Sequence, residues 1–324
     1  MSQHTAPIKI NGPGDLVAVV PHLLGFAPES SLVVLGLNES GLQCTFRVDL
    51  PEWTEDADQV RDLVAQLTRN NCGQAVAIVY GPEPIALAVA SVTGRRLDAA
   101  GIAALDILRV DQGRYWALTC DESCCPPEGR PVPQLPEAVL SIIAAGGVAR
   151  PDRAAVAALL DPAGADSRTA VAADVNQFRE DEAQRDRVAW RRRELEYLNQ
   201  WWEFPVLPWP AAIARLGLAL ADVELRDHVL SDIATHPDRA RLDLWIWVAR
   251  HLEDDLVAPA ATVAGFAAYR CGNGVLALEA FEVALRADPS YRLAQMLLSA
   301  LQSGLPPATL ATIGESGSER RLSE

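Results

Sequence analysis

The sequence predicts an α/β domain, a mixed sheet covered by helices, followed by an all-α domain with a tetratricopeptide-like (TPR-like) helical hairpin. Three observations predict it. Short β-branched and leucine runs alternate with helical signals through the first half of the chain. From Pro136 onward the strand signals vanish. Near the C-terminus Gly265, Ala277, Phe281, Ala284 and Pro289 fall at the spacing of a helical repeat. The α/β domain is placed at 1–148 and the helical domain at 149–310, with the hairpin near 259–303 and a disordered tail at 311–324.

Taken in order, Gly14–Gly25 reads as a short apolar helix, bent or ended at Pro21. Ser31–Leu37 is a buried-strand run, Asn38-Glu39-Ser40-Gly41 is turn chemistry, and Leu42–Leu50 alternates as a second strand of a hairpin. Thr54 can cap the next helix, with Glu55, Asp56 and Asp58 at its positive end and Val60, Leu63, Val64 and Leu67 at helical spacing. Gln74–Tyr80 is a third strand. Gly81-Pro82 then breaks the chain before a helix through Ile85, Val89 and Val92. Ile102–Val110 and Arg114–Thr119 form a second hairpin around Asp111-Gln112-Gly113.

The second half reads as helices. Glu137–Ala145 and Pro151–Leu160 come first, with Pro151 suited to a first turn. Ser167–Glu203 could hold one long helix, with a strongly charged middle from Arg179 to Arg187. Trp201–Pro210, dense in aromatics and prolines, predicts a packed corner. In the TPR-like hairpin, Gly265 lets two helices approach while Phe281 fills the gap, with Cys271–Gly274 as the turn. Tyr291–Ser303 resembles the next first helix and Leu242–Leu252 a degenerate preceding second helix.

The 324 residues suffice for two domains. A hydrophobic fraction of 49% with 22% charged residues marks a core-forming protein. The net charge of −15 repels phosphate backbones, so no nucleic-acid partner is expected. Met1–Asn11 lacks the pattern of a secretion signal, and no uninterrupted apolar run reaches the ~18 residues that mark a membrane span. A cytoplasmic protein with no membrane partner is expected, and its cysteines are then thiols by default.

The densest chemistry is Cys120-Asp121-Glu122-Ser123-Cys124-Cys125-Pro126-Pro127-Glu128-Gly129, directly after the last expected strand. It has three readings. Cys120, Cys124 and Cys125 could ligate zinc, with a fourth ligand from Cys44, Cys72, His22 or a carboxylate, but no second pair stands at zinc spacing. They could form a redox pair, although Asp121 and Glu122 raise a thiol pKa. The favoured reading is structural: small apolar side chains anchoring a tight Pro-Pro loop. No cofactor follows from it.

Arg47-Val48-Asp49 and Arg109-Val110-Asp111 echo each other, and in each strand the Arg and Asp share a face. Were the strands close, Arg47, Asp49 and Asp111 could line a cleft suited to acid–base work or anion binding; paired surface charges are the favoured alternative. His22, among apolar residues, reads as a core histidine before a catalyst. Arg185, Arg187 and Arg191–Arg193 are the one basic cluster, read as a solvated helix face offset by Glu180, Asp181, Glu182 and Glu194. No phosphate-binding glycine loop, G-x-S-x-G elbow or H-E-x-x-H pair occurs.

Several of these segments together resemble one family. They are Pro21-His22-Leu23-Leu24-Gly25-Phe26 followed by Pro28 and Ser31–Val34, then Arg47–Pro51, Trp116, and the Cys120…Cys124-Cys125-Pro126-Pro127-Glu128-Gly129 loop. Ala287–Tyr291 and Gly304–Pro307 also fit. The chain resembles an actinobacterial family of uncharacterised proteins, domain-of-unknown-function family 4192. The resemblance implies a bacterial cytoplasmic protein and supplies no activity, cofactor or catalytic residue. With no catalytic signature and a helical repeat, the sequence favours a non-enzymatic interaction or regulatory protein that binds another protein through its helical domain. An enzyme or small-molecule binder with a cleft at the strand ends is the alternative, and a zinc- or redox-dependent structural protein the second.

Overall fold

The computed structural model describes residues 9–50, 58–120, 126–144, 147–182, 186–203 and 207–311. The chain divides into two compact units, Met1–Ala155 and Val156–Glu324.

In the first unit the element order is α1 (Pro13–Leu24), β1 (Ser31–Asn38), β2 (Gly41–Asp49), α2 (Asp58–Arg69), β3 (Gln74–Tyr80), α3 (Glu83–Ala99), β4 (Ala103–Asp111), β5 (Arg114–Ala117), β6 (Arg130–Pro131) and α4 (Glu137–Ala144). The strands form one sheet in the order β2-β1-β3-β4-β5-β6. Only β3–β4 is parallel, joined by α3 as crossover; the other pairs are antiparallel. This is the expected mixed sheet covered by helices. Pro21 sits inside α1 without ending it, and Gly25, with φ 83°, ends it instead. Thr54 lies outside the described residues.

Alternation sorts the side chains. Leu32, Val34, Ala77, Val79 and Ile107 face α2 and α3 and make the main core with Leu63, Leu67, Val89 and Leu97. Tyr115 projects from the other face, where it packs beside Gly14 of α1. There α1 and α4 bury Ala18, Val19, Val139 and Ile142 between them. β1 and β3, central in the sheet and apolar from Leu32 to Leu37 and from Ala75 to Tyr80, are the runs the sequence marks most plainly.

The helical part comprises α5 (Arg153–Ala157), which crosses the unit boundary, then α6 (Ala165–Glu182), α7 (Arg187–Glu203), α8 (Pro210–Ala221), α9 (Val223–Thr235), α10 (Arg239–His251), α11 (Val257–Arg270), α12 (Gly274–Ala287) and α13 (Arg292–Gln302). One long helix over Ser167–Glu203 is not what forms: α6 and α7 are separate. Residues 183–185, between them, lie outside the described residues. In the expected aromatic corner, Trp201 packs at 5.9 Å from Trp209, and Trp247 donates from Nε1 to the Pro208 carbonyl at 3.2 Å.

The centre of the unit is the antiparallel pair α11–α12. At Gly265 a Cβ would stand 2.5 Å from Phe281 Cε1 and 3.2 Å from the Ala280 methyl, so only a hydrogen fits. Ala277, Ala280, Phe281 and Ala284 are all fully buried. Asn273 caps α12 by accepting from the Leu276 N–H at 3.1 Å.

Candidate functional site

The first unit places its sequence-expected residues apart. Arg47 pairs with Asp49 at 2.5 Å, donates to the Ser31 hydroxyl at 2.9 Å and lies over the Phe26 ring. Arg109 pairs with Asp111 at 2.9 Å and with Glu83 of α3 at 3.3 Å, and stacks on Trp116 at 4.2 Å. Register explains the separation. Val48 and Arg109 are partners, through Leu32 and Val79, on the face that meets α2 and α3, so Arg47 points to the opposite face. Two strands intervene, which sets the backbones ~14 Å apart. Arg47, Asp49 and Asp111 therefore do not line one cleft. His22 bonds to none of them; burial lowers its pKa, and its Nδ1 is buried without a partner among the described residues.

Of the cysteine loop, Cys124 and Cys125 lie outside the described residues. The described turn after them is held by β5. Trp116 Nε1 donates to the Pro127 carbonyl at 2.9 Å, and Arg114 donates to the Glu128 and Gly129 carbonyls, each at 2.7 Å. Gly129 has φ 72° and lies against the indole. Among the described residues no three metal-ligating side chains gather. Cys44 and Cys72, weighed as distant zinc ligands, instead touch each other at 3.5 Å.

The structure forms its groove in the helical unit. Alternate helices α9, α11 and α13 lie side by side, with α7 and a 3-10 turn at Pro307–Ala311 flanking them. Between them is a cavity of about 690 Å³. Its floor is apolar: Leu225 and Leu230 from α9, Phe266 from α11, Leu293 and Leu297 from α13. Met296 stands on the rim at 67% exposure. Arg191 and Arg192 of α7 and Glu224, Asp227, His228 and Ser231 of α9 supply the polar rim. The volume lies in the range of sites that take a small ligand or a few apolar side chains of a peptide.

Buried charge fixes the α7 wall. Asp222, its side chain only 2% exposed, accepts from Arg187 at 2.6 Å and from Arg191 Nε at 2.9 Å. Its other oxygen caps α9 by accepting from the Glu224 and Leu225 N–H groups. Burial alone raises its pKa. The bond from Arg191, that guanidinium's charge and the two backbone N–H groups outweigh burial and hold the carboxyl below its usual value. Glu194, also buried, accepts from Arg215 at 2.5 Å, while Arg215 stacks on Tyr197 at 3.7 Å. Arg187 and Arg191 are thus not a free basic face, and Glu194 serves α8 as well as its own helix. His228 Nε2 lies 3.0 Å from Asn199 Oδ1, and burial lowers its pKa against a smaller opposing effect of Asp232.

Sequence reasoning missed Leu225, His228, Phe266, Leu293 and Met296. The residues Leu293, Met296, Leu297 and Ala300 recur at i, i+3, i+4 and i+7. That pattern marks a face that leaves water; it does not distinguish core from groove.

A family model described as "Domain of unknown function (DUF4192)" matches residues 13–308, nearly the whole chain. The chain belongs to this family. No curated protein matches it, and no solved structure does. The DUF4192 match runs through both units, and so includes the sheet and the groove.

Proposed function

We propose that this DUF4192 chain is a non-enzymatic interaction protein whose helical unit is TPR-like and receives an amphipathic helix of a partner protein in the groove between α9, α11 and α13. The repeat reading rests on spacing and packing. Helices α9, α11 and α13 begin at Val223, Val257 and Arg292, spaced by 34 and then 35 residues; α10 and α12 begin at Arg239 and Gly274, again 35 apart. A TPR repeats at about 34 residues, and its stacked first helices form a concave binding side. The close approach of Gly265 and Phe281 is the packing such a repeat requires.

The observation that carries the reading is the groove itself: apolar along its floor, bordered by arginines on α7 and by carboxylates on α9. An amphipathic helix with an apolar stripe of i, i+3, i+7 spacing complements that floor. Cytoplasmic residence belongs to the same reading and agrees with Cys44 and Cys72 standing as neighbouring thiols.

Site-specific photo-crosslinking tests it. A photoreactive residue is placed at Met296 or, as a control, at exposed Arg286 on α12 in the full chain. The expected result is one protein cross-linked from position 296 alone, lost when Leu293→Asp is added and carrying the amphipathic stripe at the linked segment. Equal adducts from both positions, or none at 296, overturn the proposal.

A further inference from the structure

We propose that Cys44 and Cys72 are a redox-modification site, which a two-electron oxidant converts into a disulfide stapling edge strand β2 to the turn between α2 and β3. The two residues are 28 apart in sequence and meet across β1. Cys44 on β2 is paired with Gly36 of β1, and Gly36 is paired on its other side with Ala75 of β3. Cys72 lies three residues before Ala75, in the turn that ends α2. The sulfurs come within 3.5 Å of each other directly over Gly36.

Gly36 is the second, independent observation. A Cβ there would stand 2.6 Å from Cys72 Sγ and 2.7 Å from Cys44 Sγ. Any other residue in this otherwise β-branched and leucine-rich strand would drive the sulfurs apart. The missing side chain leaves a slot that the two thiols fill together.

The chemistry balances with glutathione disulfide. One protein thiol loses its proton and attacks the oxidant, releasing one glutathione and leaving a mixed disulfide. The second protein sulfur attacks that bond, releasing the other glutathione. The protein gives up two electrons and two protons, and a sulfur–sulfur bond forms. Cys44, half-buried, meets the oxidant; Cys72, buried, closes the bridge. Burial raises both thiols, so thiolate is scarce and the first step is slow. Proximity of the second sulfur, and not reactivity of the first, selects this pair.

The full chain is incubated with glutathione disulfide, its remaining thiols are alkylated, and the digest is read by mass spectrometry. The expected product is a peptide pair joined through Cys44 and Cys72 and lighter by two hydrogens, absent in Cys44→Ser and reversed by dithiothreitol. A disulfide closing a loop of this length constrains the unfolded chain, so the unfolding midpoint of the oxidised protein rises by several degrees. Full alkylation of both cysteines, a stable glutathione adduct, Cys44 joined to another cysteine, or an unchanged midpoint in joined protein overturns the proposal. The mass measurement on unmutated protein stands even where a variant fails to fold.

Discussion

Gly265 and Phe281 occupy one space: the hydrogen of the first lies where the ring edge of the second would meet any larger substituent, at 2.5 Å. Helices α11 and α12 approach as closely as they do because of this pair. Gly265→Val therefore costs about 1–3 kcal/mol through overpacking. Phe281→Ala costs about 3–5 kcal/mol through the cavity it leaves. Urea unfolding of the helical unit checks both, and the double variant should cost less than the sum, because the two changes share one space.

Asp222 makes stability depend on acid. Its folded pKa lies below the unfolded value, so its contribution is present above the unfolded carboxylate range and is lost as pH falls through the folded pKa. The wild-type protein should lose stability below about pH 4 more steeply than Asp222→Asn does. At neutral pH that variant gives up about 2 kcal/mol, from charge-assisted bonds and a helix cap. Thermal unfolding from pH 3 to pH 7 separates the two effects.

Neighbouring residues of α13 should behave differently. Met296 is 67% exposed on the groove rim, whereas Leu297 is buried. Met296→Asp should leave stability within about 0.5 kcal/mol of wild type. Leu297→Ala should cost about 2–4 kcal/mol. Differential scanning calorimetry of both variants shows whether the rim can be changed without harming the fold.

Gly129 is the point at which β5 holds the turn before β6. Its φ of 72° disfavours a side chain, and a Cβ would press on Trp116 at 2.4 Å. Gly129→Ala should destabilise the first unit by about 1–3 kcal/mol. Hydrogen exchange over residues 126–132 should quicken in step, since the Trp116 and Arg114 contacts to this turn are lost together.

Legibility in the sequence followed how local the cause was. Leu32–Leu35 and Ala75–Tyr80 form strands in which every residue is buried, and an uninterrupted apolar run says so. β6 escaped notice because two residues ending in Pro131 carry no periodicity; they pair only because Trp116 and Arg114 bring them to β5. The echo of Arg47–Asp49 in Arg109–Asp111 was correct as local pairing, since each arginine binds the aspartate two residues on. Strand register, which no local window contains, put the pairs on opposite faces. Asp222 and Arg191 lie 31 residues apart, and nothing near either names its partner. The groove was hidden for a related reason: it is a gap between amphipathic faces that individually look like core.

The strand order β2-β1-β3-β4-β5-β6 also has a kinetic meaning. Every pairing but one joins strands that follow each other in sequence, the parallel step across α3 included; β1–β3 alone reaches further, past β2 and α2. The sheet can thus assemble as the chain leaves the ribosome, each strand adding to an edge already present. β2 first closes on β1, β3 then covers the other side, and the remaining strands extend outward from there. Contacts of such short range favour fast folding and leave few long loops to close.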